Sequence, residues 1–202
     1  KYFFKEIDKL NDKLLSVEVL WKEGWTGILG AHFWMKNEFD SYLGNIKSGG
    51  GALHEHSHGL HLLILILKKL KIRYSKLNFN KKIYYKKKFS KKYDIFSHFS
   101  SKLNNILIKY ETDLLTFPSQ KEIIINCKNS SLRWICNYKN GIDIVIKNNM
   151  KTFIKKEFKK TRSSEFENEI KNILNLKENY NNSNLNIQNS IQVMDLIKKI
   201  IK

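Results

Sequence analysis

Between residues 122 and 146 three short segments, 122–127, 132–138 and 142–146, are rich in isoleucine, valine and aromatic residues. Asn140-Gly141 separates the last two, and both residues tolerate the positive φ of a two-residue type I′ turn. This pattern predicts an antiparallel meander, and every other segment has to be fitted around it.

Apolar spacing close to the helical period predicts helices elsewhere. One runs through Phe3, Ile7, Leu10, Leu14 and Val17, and another through Phe96, Phe99, Leu103, Ile106 or Leu107 and Tyr110. A third covers 164–176 with Phe166, Ile170, Ile173 and Leu174, and a short amphipathic helix closes the chain with Ile191, Met194, Leu196, Ile197 and Ile200. The unbroken run from Leu62 to Leu67 reads as a strand buried on both faces. It is far shorter than the ~20 residues a membrane-spanning helix needs. Trp21, Trp25 and Trp34, set among Gly24, Gly27 and Gly30, read as packing residues of a turn. The fold expected is a mixed α/β single domain over 1–177, its mostly parallel or mixed sheet flanked by helices and carrying basic extensions. A flexible Gly/His-rich insertion is expected near 48–58, and a loose Asn-rich linker with the short helix at 178–202.

Charge narrows the partner. In 202 residues, 37 Lys and Arg oppose 19 Asp and Glu, a formal charge of +18. Such an excess favours a polyanion, because lysine contacts to phosphates release condensed counterions. Only Arg73, Arg133 and Arg162 are arginines, and the abundance of Lys, Asn, Ile, Tyr and Phe also matches A/T-rich coding. Two segments concentrate the charge. Residues 68–92 hold Lys68, Lys69, Lys71, Arg73, Lys76, Lys81, Lys82, Lys86, Lys87, Lys88, Lys91 and Lys92 without one acid, with Tyr84 and Tyr85 interleaved as stacking groups. Lys151, Lys155, Lys156, Lys159, Lys160 and Arg162 form the second. Both are read as RNA-binding.

His54, His56, His58 and His61 fall within eight residues beside Glu55. In an extended segment the first three would share one side and could meet a divalent metal. Three glycines upstream favour instead a flexible loop without metal. Cys127 and Cys136 have neither metal nor disulfide spacing and read as small buried hydrophobes. No phosphate-binding glycine loop or nucleophile elbow is present, so no cofactor and no catalytic residue is assigned.

The stretch from Leu14 to Lys69 resembles the opening of the second small-subunit ribosomal protein of bacteria and organelles. The residues that carry the likeness are Gly30-Ala31-His32-Phe33, Tyr42-Leu43-Gly44 and Gly59-Leu60-His61-Leu62-Leu63-Ile64-Leu65 leading into Lys68. Ile106-Leu107-Ile108 followed by Arg133-Trp134 extends it downstream. Trp34-Met35 stand where that family has Gly-His, and 48–58 would be an insertion. The resemblance implies a parallel-sheet α/β domain bound to ribosomal RNA and neighbouring ribosomal proteins. The expected function is a structural, non-enzymatic rRNA-binding component of a mitochondrial small subunit, with no small-molecule substrate and no transmembrane segment. A non-catalytic accessory subunit of an organellar membrane complex is the first alternative, and a metal hydrolase centred on the histidines the second.

Overall fold

The structure, a computed structural model, describes residues 1–174 and 187–201. A short helix α1 (Tyr2–Ile7) leads into strand β1 (Leu14–Lys22) and helix α2 (Trp25–Ala31). Three 3-10 turns (Glu38–Asp40, Tyr42–Gly44, Ile46–Ser48) precede helices α3 (Ala52–Glu55) and α4 (Ser57–Lys69). Seven strands follow: β2 (Asn80–Lys88), β3 (Lys91–Leu103), β4 (Ile106–Asp113), β5 (Gln120–Cys127), β6 (Ser130–Lys139), β7 (Ile142–Asn149) and β8 (Phe153–Lys159). Helices α5 (Arg162–Leu174) and α6 (Ile187–Ile201) complete the described chain.

All eight strands join one sheet in the order β2-β3-β4-β1-β5-β6-β7-β8. The fold is therefore a mixed α/β single domain with a mixed sheet flanked by helices. Among the described residues only β1 and β4 pair in parallel, and every other neighbour is antiparallel. The meander read from 122–146 is present, with Gly141 at φ +71° in its turn.

Three expectations are corrected. The helix read through Leu14 and Val17 ends at Ile7, and β1 takes over at the centre of the sheet. Val17, Val19 and Trp21 are its buried apolar residues, a period of two that a helical reading of Leu10, Leu14 and Val17 obscured. The helix read through Phe96 to Tyr110 is the β3–β4 hairpin. Its turn residues Asn104 and Asn105 have φ of +48° and +64°, so an Asn-Asn turn was the missed signal. The run at 62–67 is helical. It belongs to α4, which packs against β1 while α1 and α6 contact it as well. Leu60, Leu63, Ile64, Ile66 and Leu67 are all buried, each worth roughly 1.5–3 kcal/mol over exposure. A helix covered on several sides needs no polar stripe, and that makes its sequence look like a buried strand.

The segment 48–58 is folded, contrary to the flexible insertion expected there. A Cβ on Gly50 would collide with the carbonyls of Tyr42 and Leu43, and one on Gly51 (φ +100°) with the Asp94 carboxylate. These glycines permit close backbone approach. The linker read at 178–190 lies, over 178–186, outside the described residues.

Parts of the two basic segments sit at opposite margins of the sheet: Lys81, Lys82, Lys86, Lys87 and Lys88 on edge strand β2, and Lys155, Lys156 and Lys159 on edge strand β8, while Lys68 and Lys69 belong to α4 and Lys91 and Lys92 to β3. Lysine on an edge strand blocks pairing with another chain. Several lysines also have local partners. Lys81 donates to the Ile200 carbonyl (2.9 Å), Lys86 pairs with Glu38, and Lys92 lies over the Tyr85 ring at 3.7 Å. On the other margin Lys155 pairs with Glu157 (2.9 Å), Lys156 lies over Tyr2 (4.4 Å) and Lys160 pairs with Asp143 (3.0 Å).

Candidate functional site

Three backbone events converge at one end of the sheet. β1 and β4 end there in parallel at Lys22 and Asp113, and β5 begins beside them at Gln120. The junction of α3 and α4 lies over these ends, pinned by His56. Its Nε2–H donates to the Asp113 carbonyl (3.0 Å), and its own carbonyl accepts from the Tyr110 hydroxyl (3.0 Å). Burial holds the imidazole neutral, with its pKa pushed down to about 4; the Lys121 charge adds to this, while backbone hydrogen bonding to Glu23 and Asp113 opposes it. His56 is a structural hinge pin.

Pinning His56 directs its neighbours. Glu55, the last residue of α3, is half-buried, and His58, in the first turn of α4, is exposed. Burial raises the Glu55 carboxyl above the ordinary carboxylate range. Glu23 pushes the same way, while His32, His58 and Lys121 pull it back. Glu23 follows β1 directly and pairs with Lys121 of β5 at 2.6 Å. His32 follows α2, and its Nδ1–H donates to the Ile28 carbonyl (2.7 Å), which leaves Nε2 as the acceptor of the neutral ring. Glu23, His32, Glu55, His58 and Lys121 thus make one electrostatic cluster drawn from four segments. A second small core of Ile28, Met35, Leu43, Ala52, Tyr93 and Leu114 anchors α2 beside it, and Trp25 Nε1 donates to the Tyr93 hydroxyl (3.1 Å).

The four histidines read as a loop do not converge on a shared point. His54 Nδ1 contacts the Gly50 carbonyl (3.2 Å), and His56 is committed to Asp113. His61 lies half-buried, its pKa lowered by burial and then by His58 and Lys68. Among the described residues no three His, Cys, Asp or Glu side chains are placed to hold a metal ion. Of the lysines and tyrosines assigned to RNA none belongs to the cluster. Glu23 and Lys121 were not singled out from sequence, and His32 entered only through the family resemblance; no spacing could have joined positions so far apart. Trp34, read as packing, is 65% exposed, in edge contact with His32 at 5.1 Å. Cys127 is buried; Cys136 is half-buried, with Lys160 Nζ 3.4 Å from its sulfur.

Gly24 forms a strand–glycine–helix junction, a geometry that can cradle phosphates when its amides are free. Here the amides are taken. Glu23, Gly24 and Trp25 donate to the carbonyls of Asp113 (3.2 Å), Thr116 (2.6 Å) and Leu114 (3.2 Å). A Cβ on Gly24 would lie 2.9 Å from the Leu115 carbonyl oxygen, so its role is close packing against that loop.

No family model matches the chain, and no curated protein does. Solved structures do match. A putative NADPH-dependent oxidoreductase from Desulfitobacterium hafniense superposes with a TM-score of 0.63 at 11% identity, over 95% of this chain and 55% of that one. A 3-ketoreductase from Actinomadura kijaniata, in complex with NADP and TDP-benzene, gives 0.60 at 8% identity, over 87% and 53%. A dehydrogenase from Clostridium difficile gives 0.56 at 14% identity, over 99% and 58%. The chain therefore spans little more than half the length of these neighbours, and at such identities the likeness is one of fold. It overturns the resemblance to the ribosomal family, whose parallel sheet is absent here. The expected non-enzymatic, rRNA-bound ribosomal component falls with it, as do ribosomal RNA and ribosomal proteins as partners and the exclusion of a small-molecule substrate. The membrane-complex subunit and the histidine metal hydrolase gain no support either. The residues of the candidate cluster are dispersed along the chain and none lies in the two lysine-rich segments.

Proposed function

We propose that the chain is the substrate-holding part of an NAD(P)-dependent oxidoreductase acting on a small molecule that carries a hydroxyl or carbonyl group. One observation carries this reading: a half-buried carboxyl with raised pKa, Glu55, beside His58 and His32 at the converging strand ends. Groups tuned this way suit proton transfer to or from an oxygen at neutral pH. Glu55 holds the proton at its carboxyl; His32, His58 and Lys121 limit how far that pKa rises, and Glu23 opposes them. In this reading His58, exposed in the first turn of α4, passes the proton to solvent. The neighbours' names, with their nicotinamide cofactors and ketoreductase or dehydrogenase activities, agree with this chemistry.

The cofactor itself does not fit these residues. A dinucleotide needs free amides at a glycine-rich strand-to-helix turn, and the one such turn described, at Gly24, has its amides bonded to the 114–116 loop. No step is derived through it. The test is turnover by the full-length protein containing this chain, with NAD+ or NADP+ and a panel of polyols, sugars and aromatic or alicyclic alcohols, followed by reduced-nicotinamide absorbance. Glu55→Gln is expected to lower kcat by about 10²–10⁴-fold with a smaller change in KM. Absence of turnover across the panel, or full activity in the variant, overturns the reading.

A further inference from the structure

A cavity of about 500 Å³ lies between α1, α4, α5 and strands β6 to β8. This volume is within the range of small-molecule pockets. Its apolar wall is aromatic: Tyr2, Phe3, Trp134 and Phe158, with Tyr2 and Phe158 centroids 5.4 Å apart and Phe3 and Trp134 6.0 Å apart. Its polar end is the Asp143–Lys160 pair (3.0 Å), in which Asp143 also accepts from Trp134 Nε1 (3.2 Å) and the Asn137 amide (2.8 Å). That pair is satisfied internally; Lys1 and Asn168 also line the cavity, and its aromatic wall favours a ring-shaped occupant.

The cavity adjoins the candidate site by two routes. On α4, Leu62 lines the cavity and lies one helical turn beyond His58, on the same face. Across the sheet, Trp21, Ile123, Trp134 and Val145 share the helix-covered face. Period-two alternation puts Lys121, Cys136 and Asp143 on that face too. Lys121 is the cross-strand partner of Cys136, whose sulfur is 3.4 Å from Lys160 Nζ. A row of polar groups thus runs from Glu23 and Lys121 to the rim of the cavity.

We propose that this cavity receives the apolar, ring-sized portion of the substrate whose hydroxyl or carbonyl meets Glu55. The inference rests on the oxidoreductase reading above and adds a substrate class: molecules in which the reacting carbon carries an aromatic or alicyclic group. A substrate without such a group would leave the aromatic wall wet.

The experiment is calorimetric titration of the full-length protein with 2-naphthol, a neutral probe to which the +18 charge contributes nothing. One equivalent is expected to bind. Leu62→Trp, which fills the cavity, and Phe158→Ser, which removes part of its aromatic wall, should each weaken binding at least tenfold, while Glu55→Gln leaves it unchanged. In turnover, 2-naphthol should raise KM and leave kcat alone. Failure of the wild-type protein to bind, or binding indifferent to both cavity variants, overturns the inference, as does inhibition that lowers kcat without touching KM. In each of those cases turnover itself still stands. Binding as expected in a protein that turns over nothing overturns the oxidoreductase reading instead, and the substrate assignment with it.

Discussion

His56 Nε2 and the Asp113 carbonyl oxygen, 57 residues apart in sequence, are 3.0 Å apart in space. That bond ties the α3–α4 junction to the end of β4 and sets where Glu55 and His58 stand.

The neutral state of His56 has a consequence for stability. Its folded pKa, about 4, is below the unfolded value of 6.5, so its contribution is full above pH 6.5 and is lost as pH falls through about 4. Over that window the unfolded state binds the extra proton, and the expected loss is on the order of 3 kcal/mol. Urea unfolding of His56→Gln should show a flatter dependence on pH between 4 and 6.5 than the parent protein. Identical slopes would remove His56 from the account.

Asp94 acts in the opposite sense. Its carboxylate is fully buried and accepts from the Leu53 amide (2.9 Å) and the Ser97 hydroxyl (3.0 Å), so it caps α3 from another element. Burial raises its pKa despite these bonds. A raised folded pKa means stability present below the unfolded value and lost as pH rises through the folded one. Asp94→Asn should abolish that decline, and Asp94→Ala should cost roughly 1–2 kcal/mol through the lost cap. Both are read by chemical denaturation as pH rises from below 3.8, the ordinary value of the carboxyl.

The titration of Glu55 can be moved without touching it. Lys121 lowers its pKa and Glu23 raises it. Lys121→Met removes the cation and leaves Glu23 unpaired, so Glu55 should titrate higher. Glu23→Gln should make it titrate lower. Carboxyl carbon chemical shifts against pH check both, and shifts in the same direction would contradict the arrangement.

The edge lysines have a different signature. Lys82 and Lys87 are exposed on β2, the outermost strand on its side. Replacing both with valine should change stability by less than about 1 kcal/mol yet raise light scattering on storage, because an apolar edge offers its unpaired amides to other chains. Unchanged scattering would return those lysines to some other role.

What was legible in the chain was local. The meander was read from β-branched runs and Asn140-Gly141, and a mixed α/β domain followed from combining it with helical spacing elsewhere. Readings failed where tertiary context reversed a local signal. Leu62 to Leu67 looked like a buried strand because α4 is enclosed on several sides. Phe96 to Tyr110 looked helical because two strands and an Asn-Asn turn place apolar residues three and four apart by coincidence.

The candidate site was less legible still. The sequence itself determined which residue types are present, the basic charge, and the clustering of histidines beside Glu55. Only the tertiary structure decided that His56 is a buried pin, that Glu55 and His58 flank it, and that Glu23, His32 and Lys121 join them. The reason is physical: a proton-transfer site depends on burial and on charges brought together through space, and β1, β4 and β5 supply both only once they lie side by side.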